Sequence, residues 1–111
     1  MCGIAGLVGR PPSQEDRTGL AARMASLLRH RGPDGAGYYV DDDILLVHTR
    51  LSIIDLAGGA QPIHNEDKSI WVVFNGEIFN FPELRESLLL RGHRFYTHTD
   101  TEVLVQMYEE F

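Results

Sequence analysis

The opening stretch constrains the fold most. Residues 3–9 read GIAGLVG, with glycines spaced among Ile4, Leu7 and Val8. That pattern suits a buried strand against which another backbone comes close. Pro11-Pro12 then stops it, since proline supplies no N–H to a ladder. Ser13 and Asp16 have the spacing of a helix start, and Leu20, Met24, Leu27 and Leu28 recur at helical intervals, which predicts a helix over 14–29. His30-Arg31-Gly32-Pro33-Asp34-Gly35 is a turn segment leading into strand-like runs at 36–40 and 44–49, joined through Asp41-Asp42-Asp43 as a hairpin.

Residues 52–59 are less regular. Further on, 70–74 and 77–79 are β-rich and flank Asn75-Gly76, a strong hairpin-turn signal because both residues tolerate positive φ. A second helix starts near Pro82, carries Leu84, Leu88 and Leu89 on one face and ends before Gly92. A short strand at 94–96 follows. Thr99 and Glu102 have capping-box spacing and open a third helix through Val103, Leu104 and Met107. Hairpins mixed with helices imply α+β, with an antiparallel sheet covered on one side. The third helix meets no stop signal before Phe111, which reads as the front part of something longer.

With 111 residues, 43% of them hydrophobic, the chain holds one compact domain at most. Ten Lys and Arg against 16 Asp and Glu leave a net charge of −6 and no basic face, so nucleic acid is not an expected partner. The one cysteine, Cys2, excludes an internal disulfide framework and a thiolate zinc cluster, and suits a reducing compartment. No apolar run approaches the roughly 20 residues needed to span a bilayer. The first nine residues also lack the positive leader of a secretory signal. A soluble, cytoplasmic protein without membrane contact is expected.

Cys2 follows the initiator methionine. Removal of Met1 would put a thiol and a free α-amine on one residue, and an amine of pKa about 7.7–8.0 can take the proton of a thiol of about 8.5. The plainer role for Cys2 is that of a small buried hydrophobe. Asn75 and Gly76 could supply a side-chain NH₂ and an unhindered backbone N–H to one tetrahedral oxygen. Arg50 ends a strand-like run, where its guanidinium could grip a carboxylate, although a surface arginine is the commoner case. Asp100 could bind an ammonium or simply cap a helix. The five histidines show no i, i+4 pair, Asp41-Asp42-Asp43 lacks an EF-hand pattern, and residues 3–9 lack G-x-G-x-x-G, so neither a metal nor a nucleotide cradle is expected.

These signals line up with a known family. Met1-Cys2-Gly3-Ile4-Ala5-Gly6, Arg29-His30-Arg31-Gly32-Pro33-Asp34 and His48-Thr49-Arg50-Leu51-Ser52-Ile53-Ile54-Asp55 resemble the class II glutamine amidotransferase domain of glutamine-dependent asparagine synthetases. Gly59-Ala60-Gln61-Pro62, Phe74-Asn75-Gly76-Glu77-Ile78 and Asp100-Thr101-Glu102 extend the match over essentially the whole chain.

The resemblance implies an N-terminal-nucleophile hydrolase fold, an αββα sandwich of antiparallel sheets truncated here on its C-terminal side. Residues 1–111 would be the N-terminal part of the glutaminase domain, with the synthetase domain absent. It further implies Cys2 as nucleophile with its own amine as base, and Asn75 and Gly76 as oxyanion donors. Arg50 would hold the α-carboxylate of L-glutamine and Asp100 its α-ammonium. Leu51, Ile53, Ile54 and Glu77 would line the pocket. No cofactor is implied for this segment; ATP and magnesium belong to the missing synthetase domain, the implied partner, and a homodimer is left open. Rival readings are a relative aminating another acceptor, a catalytically silent structural or regulatory piece, and an N-terminal-nucleophile hydrolase acting on another amide.

Overall fold

The structure, a computed structural model, describes residues 2–9, 14–51 and 59–111. It is a small α+β arrangement with two antiparallel sheets. The first sheet runs β1 (Gly3–Val8), β3 (Ile44–Arg50), β2 (Gly35–Val40), with β3 in the middle. The hairpin expected through Asp41-Asp42-Asp43 forms: Asp41 accepts the N–H groups of Asp43 at 2.8 Å and Ile44 at 2.6 Å, so one carboxylate closes the turn. These bonds, with one from the Tyr39 hydroxyl, hold the Asp41 carboxyl below its usual range.

Helix α1 (Gln14–Leu27) packs on this sheet through Ala21 and Ala25, which meet Leu45 and Val47. Leu27, expected on the inner face, is 76% exposed. The fully buried positions are small residues at i and i+4, which let the helix approach the sheet closely, and Leu20 and Met24 pack partly buried against the same core as the helical spacing predicts. Strand β1 is also not the fully buried strand expected. It lies at the sheet edge, and Ile4 and Val8 are exposed while Ala5 and Leu7 face the helix side. Gly32 is required where the turn before β2 crosses β3, since a Cβ there would collide with the Thr49 carbonyl. Asp34 then donates its N–H to the Arg50 carbonyl at 2.9 Å, fastening this turn to the end of β3.

The second sheet pairs β4 (Ile63–His64) with β5 (Trp71–Val72). Strand β4 has no counterpart in the sequence reading. Buried Asn65 builds the connection, accepting from Ile70 N–H at 2.9 Å and donating to the Ser69 hydroxyl at 3.0 Å. The two sheets touch where Tyr39 stacks on Trp71, centroids 4.5 Å apart, and where Gly37 makes room for the Gln61 carbonyl.

Helix α2 (Phe81–Leu90) starts and ends where Pro82 and Gly92 predicted. Leu88 is its buried leucine, whereas Leu89 is 44% exposed. Helix α3 (Thr101–Glu110) packs against α2, β4 and β5. No described helix is long and apolar enough to cross a membrane.

Three local expectations fail, and each failure has a long-range cause. Asn75-Gly76 is no hairpin turn: β5 ends at Val72, its partner is β4, and neither residue has positive φ. Residues 94–96 are not a strand, because carboxylates occupy their N–H groups. Glu66 accepts from Arg94, and Glu102 accepts from Tyr96 at 2.9 Å. Glu102 does not close a capping box with Thr99. Fully buried, it also accepts from Thr97 N–H and the Thr97 hydroxyl, both at 2.6 Å, while Asp100 is the N-cap residue.

The ends of α2 and α3 are joined by His93. Its Nε2 meets Glu110 at 2.7 Å and its Nδ1 meets Gln106 at 2.9 Å, with Arg91 on the other Glu110 oxygen at 2.8 Å. Two acceptors favour the doubly protonated ring, and the Glu110 bond chiefly raises the His93 pKa above its ordinary 6.5. The Glu110 carboxyl is lowered, first by that same bond. A raised histidine stabilises the fold most below its unfolded pKa, and that contribution is lost as pH rises through the folded value. The Tm advantage of wild type over His93→Asn should therefore be full below about pH 6 and shrink as pH rises through the raised folded value. A constant difference in thermal melts across that rise would refute the charged clamp.

Candidate active site

The register of the first sheet decides which side chains share a face. Gly3 pairs with Thr49 at the end of the ladder, and the register continued by one residue sets Cys2 opposite Arg50. Leu45 and Val47 face α1, and the Thr49 hydroxyl donates to the Leu28 carbonyl at 3.2 Å on that same side. Alternation then turns His48, Arg50 and Cys2 to the opposite face. A one-residue slip would put all three under the helix.

Half-buried Cys2 is held from two directions. Leu51 N–H donates to Sγ at 3.4 Å, and Sγ lies 3.9 Å from the Leu51 carbonyl. Arg31 Nε donates to the Cys2 carbonyl at 3.1 Å. Leu51 thus meets the sulfur through its backbone. Sequence reasoning gave Arg31 no role; its only signal was membership of the Arg29–Asp34 motif.

The Arg50 guanidinium reaches Gly59, where a Cβ would lie 2.9 Å from Nη2 and 3.4 Å from the Thr99 methyl. It therefore approaches the start of α3. A cavity of about 470 Å³ opens beside it, lined by Asp34, Gly37, His48, Arg50, Ala60 and Gln61. His48 is 2% exposed, and burial first, then the Arg50 charge, keeps its pKa below the ordinary value. The ring is accordingly neutral near pH 7.

Asp100 does not cap its own helix with its side chain. Its carboxylate instead accepts the Ile78 N–H at 2.8 Å and the Thr101 hydroxyl at 3.4 Å. At the other end of that segment, Phe74 donates its N–H to Gln61 Oε1 at 2.6 Å, and Gln61 Nε2 reaches the Thr101 hydroxyl at 3.4 Å. Asn75, Gly76 and Glu77 are thus carried on a short loop pinned at Phe74 and Ile78. Gly76 lies against the Phe74 ring, where a Cβ would be 2.7 Å from Cζ.

Contacts therefore link Cys2 to Leu51 and Asp100 to the loop bearing Asn75, Gly76 and Glu77, while Arg50 and Thr99 both lie against Gly59. A thiol, a guanidinium, a carboxylate and amide donors held in this way are the kinds of group that acyl chemistry on a substrate with charged ends requires. Met1, Ile53 and Ile54 lie outside the described residues. Among the described residues, no three His, Cys, Asp or Glu side chains come together as a metal site.

A family model described as glutamine amidotransferase domain matches residues 1–111. Asparagine synthetase [glutamine-hydrolyzing] 1 of Bacillus subtilis (strain 168) is 42% identical over 113 residues, covering 100% of this chain and 18% of its own length. The Arabidopsis thaliana enzyme of the same name is 44% identical over 111 residues, covering 100% and 19%. Asparagine synthetase [glutamine-hydrolyzing] 2 of B. subtilis is 46% identical over 112 residues, covering 99% and 15%. The chain thus spans less than a fifth of the length of these three relatives.

Proposed function

Since the chain belongs to the glutamine amidotransferase domain family, we propose that it performs the glutaminase half-reaction of a glutamine-hydrolysing asparagine synthetase, releasing ammonia from the side-chain amide of L-glutamine. The single observation that carries the reading is the strand register, which ends at Gly3–Thr49 and so brings Cys2 to the end of β3 that bears Arg50. A nucleophile and a carboxylate anchor on adjacent strands hold the two ends of one amino acid.

In this reading Met1 is removed and the freed α-amine takes the Cys2 thiol proton. The sulfur attacks the amide carbonyl as the Asn75 NH₂ and Gly76 N–H receive the oxyanion. The C–N bond breaks, the amine returns its proton to the departing ammonia, and water hydrolyses the thioester to glutamate. Leu51 N–H and Arg31 orient the nucleophile. Arg50 pairs with the α-carboxylate and Asp100 with the α-ammonium, while Leu51, Ile53, Ile54 and Glu77 line the pocket. Fixing both charged ends supplies the orientation that makes attack effectively intramolecular.

The layering belongs to the same proposal. Packing of α1 on the first sheet, contact between the sheets at Tyr39–Trp71, and α3 on the second sheet support an N-terminal-nucleophile αββα sandwich. The relatives' names support asparagine formation as the use of the ammonia, in a cytoplasmic parent whose synthetase domain is the partner and brings ATP and magnesium chemistry.

Arg50→Ala tests the reading. Loss of a charge-assisted carboxylate contact should raise the KM for glutamine by about 10- to 100-fold, with kcat changed much less. Steady-state ammonia release would show this. A kcat collapse at unchanged KM would remove Arg50 from the carboxylate site.

A further inference from the structure

We propose that His48 is a positioning residue, whose imidazole Nε2, unpartnered among the described residues here, accepts an Arg50 N–H when substrate occupies the cavity and so aims the guanidinium at its α-carboxylate. The inference rests on the glutaminase reading and adds to it a residue outside the catalytic set. Its ground is geometric. His48 lies two residues before Arg50 on β3, on the same face, and both line the cavity of about 470 Å³. The side chain is 2% exposed, yet Nε2 has no hydrogen-bond partner among the described residues.

A buried nitrogen without a partner is costly, and an apolar ring of the same shape would avoid the cost. The row across the sheet offers nothing to bond, since the neighbours of His48 are Ile4 and Gly37. Among the described residues, the charged groups lining this cavity are Arg50 and Asp34. With its proton on Nδ1, a neutral imidazole presents a lone pair at Nε2, and a guanidinium has only donors to offer it. Burial and the Arg50 charge both favour that neutral form. A guanidinium braced from below keeps its paired N–H groups in the plane a carboxylate needs.

The test is a double-mutant cycle on ammonia release. His48→Phe, Arg50→Ala and the double variant are assayed with glutamine and with 4-aminobutanamide, which keeps the amide and amine but lacks the carboxylate. His48→Phe should raise the glutamine KM about tenfold, leave kcat within about twofold, and leave the KM for 4-aminobutanamide unchanged. In the Arg50→Ala background its effect should fall below about twofold. His48→Gln, which retains an acceptor, should recover part of the loss.

Equal effects of His48→Phe on both substrates, or in both Arg50 backgrounds, would make His48 a packing residue and overturn the proposal. If His48→Phe does not fold, His48→Met enters the same cycle, and failure of both to fold overturns it too. Should Arg50→Ala leave the glutamine KM unchanged, or wild type release no ammonia, the glutaminase reading beneath it falls instead.

Discussion

Cys2→Ala is expected to end glutamine hydrolysis, with kcat falling by about 10⁴-fold or more, as when an enzyme loses its covalent nucleophile. Alanine removes the sulfur but leaves the α-amine, Arg50 and Asp100 in place, so glutamine should still bind with an affinity near that of wild type. Calorimetry with glutamine and ammonia-release assays separate the two quantities. Cys2→Ser should be nearly as slow, because at neutral pH a hydroxyl is far less ionised than a thiol. The Leu51 N–H that meets Sγ at 3.4 Å would still have an acceptor in serine, so the loss there would report chemistry and not misfolding. Ammonia release by Cys2→Ala equal to wild type would eliminate the thioester route.

The second large effect concerns the loop between Phe74 and Ile78. Asn75→Ala is expected to lower kcat by about 10²–10³-fold with KM little changed, the usual cost of one oxyanion donor. The loop keeps its two anchors in this variant, Phe74 N–H on Gln61 at 2.6 Å and Ile78 N–H on Asp100 at 2.8 Å. Removal of the amide therefore subtracts a donor without releasing the backbone. Asn75→Asp should be at least as slow, since a carboxylate would repel the developing oxyanion. A rise in KM at constant kcat for Asn75→Ala would move the residue from the oxyanion to substrate binding.

How far the sequence could be read depended on how far away each residue's partners lie. Pro82 and Gly92 bound a helix through their own backbone preferences, and both ends of α2 were legible. The Asp41 turn is equally local. Asn75-Gly76 misled because its hairpin propensity is overridden by Gln61 and Asp100, which lie 13 and 22 residues from the N–H groups they hold. Residues 94–96 misled for the same reason, with Glu66 standing 28 residues away. Of the stripe that the helical spacing suggested in α1, Leu20 and Met24 pack against the core, but contact with β3 buries Ala21 and Ala25 most deeply and leaves Leu27 exposed.

For the site, the motifs named Cys2, Arg50, Leu51, Asn75, Gly76, Glu77 and Asp100, yet no spacing could say which of them meet. By itself the sequence determined the residue types available, the turns and helix ends that depend on one to four neighbours, and a family likeness. Only the tertiary structure decided that Gly3 pairs with Thr49 and brings Cys2 to the Arg50 end of β3, that the Asp100 carboxylate bonds the Ile78 N–H and no N–H at its own helix start, and that His48 lies buried with Nε2 unpaired among the described residues. The physical reason is that a strand residue's face and neighbour follow from pairing register, which joins positions dozens of residues apart.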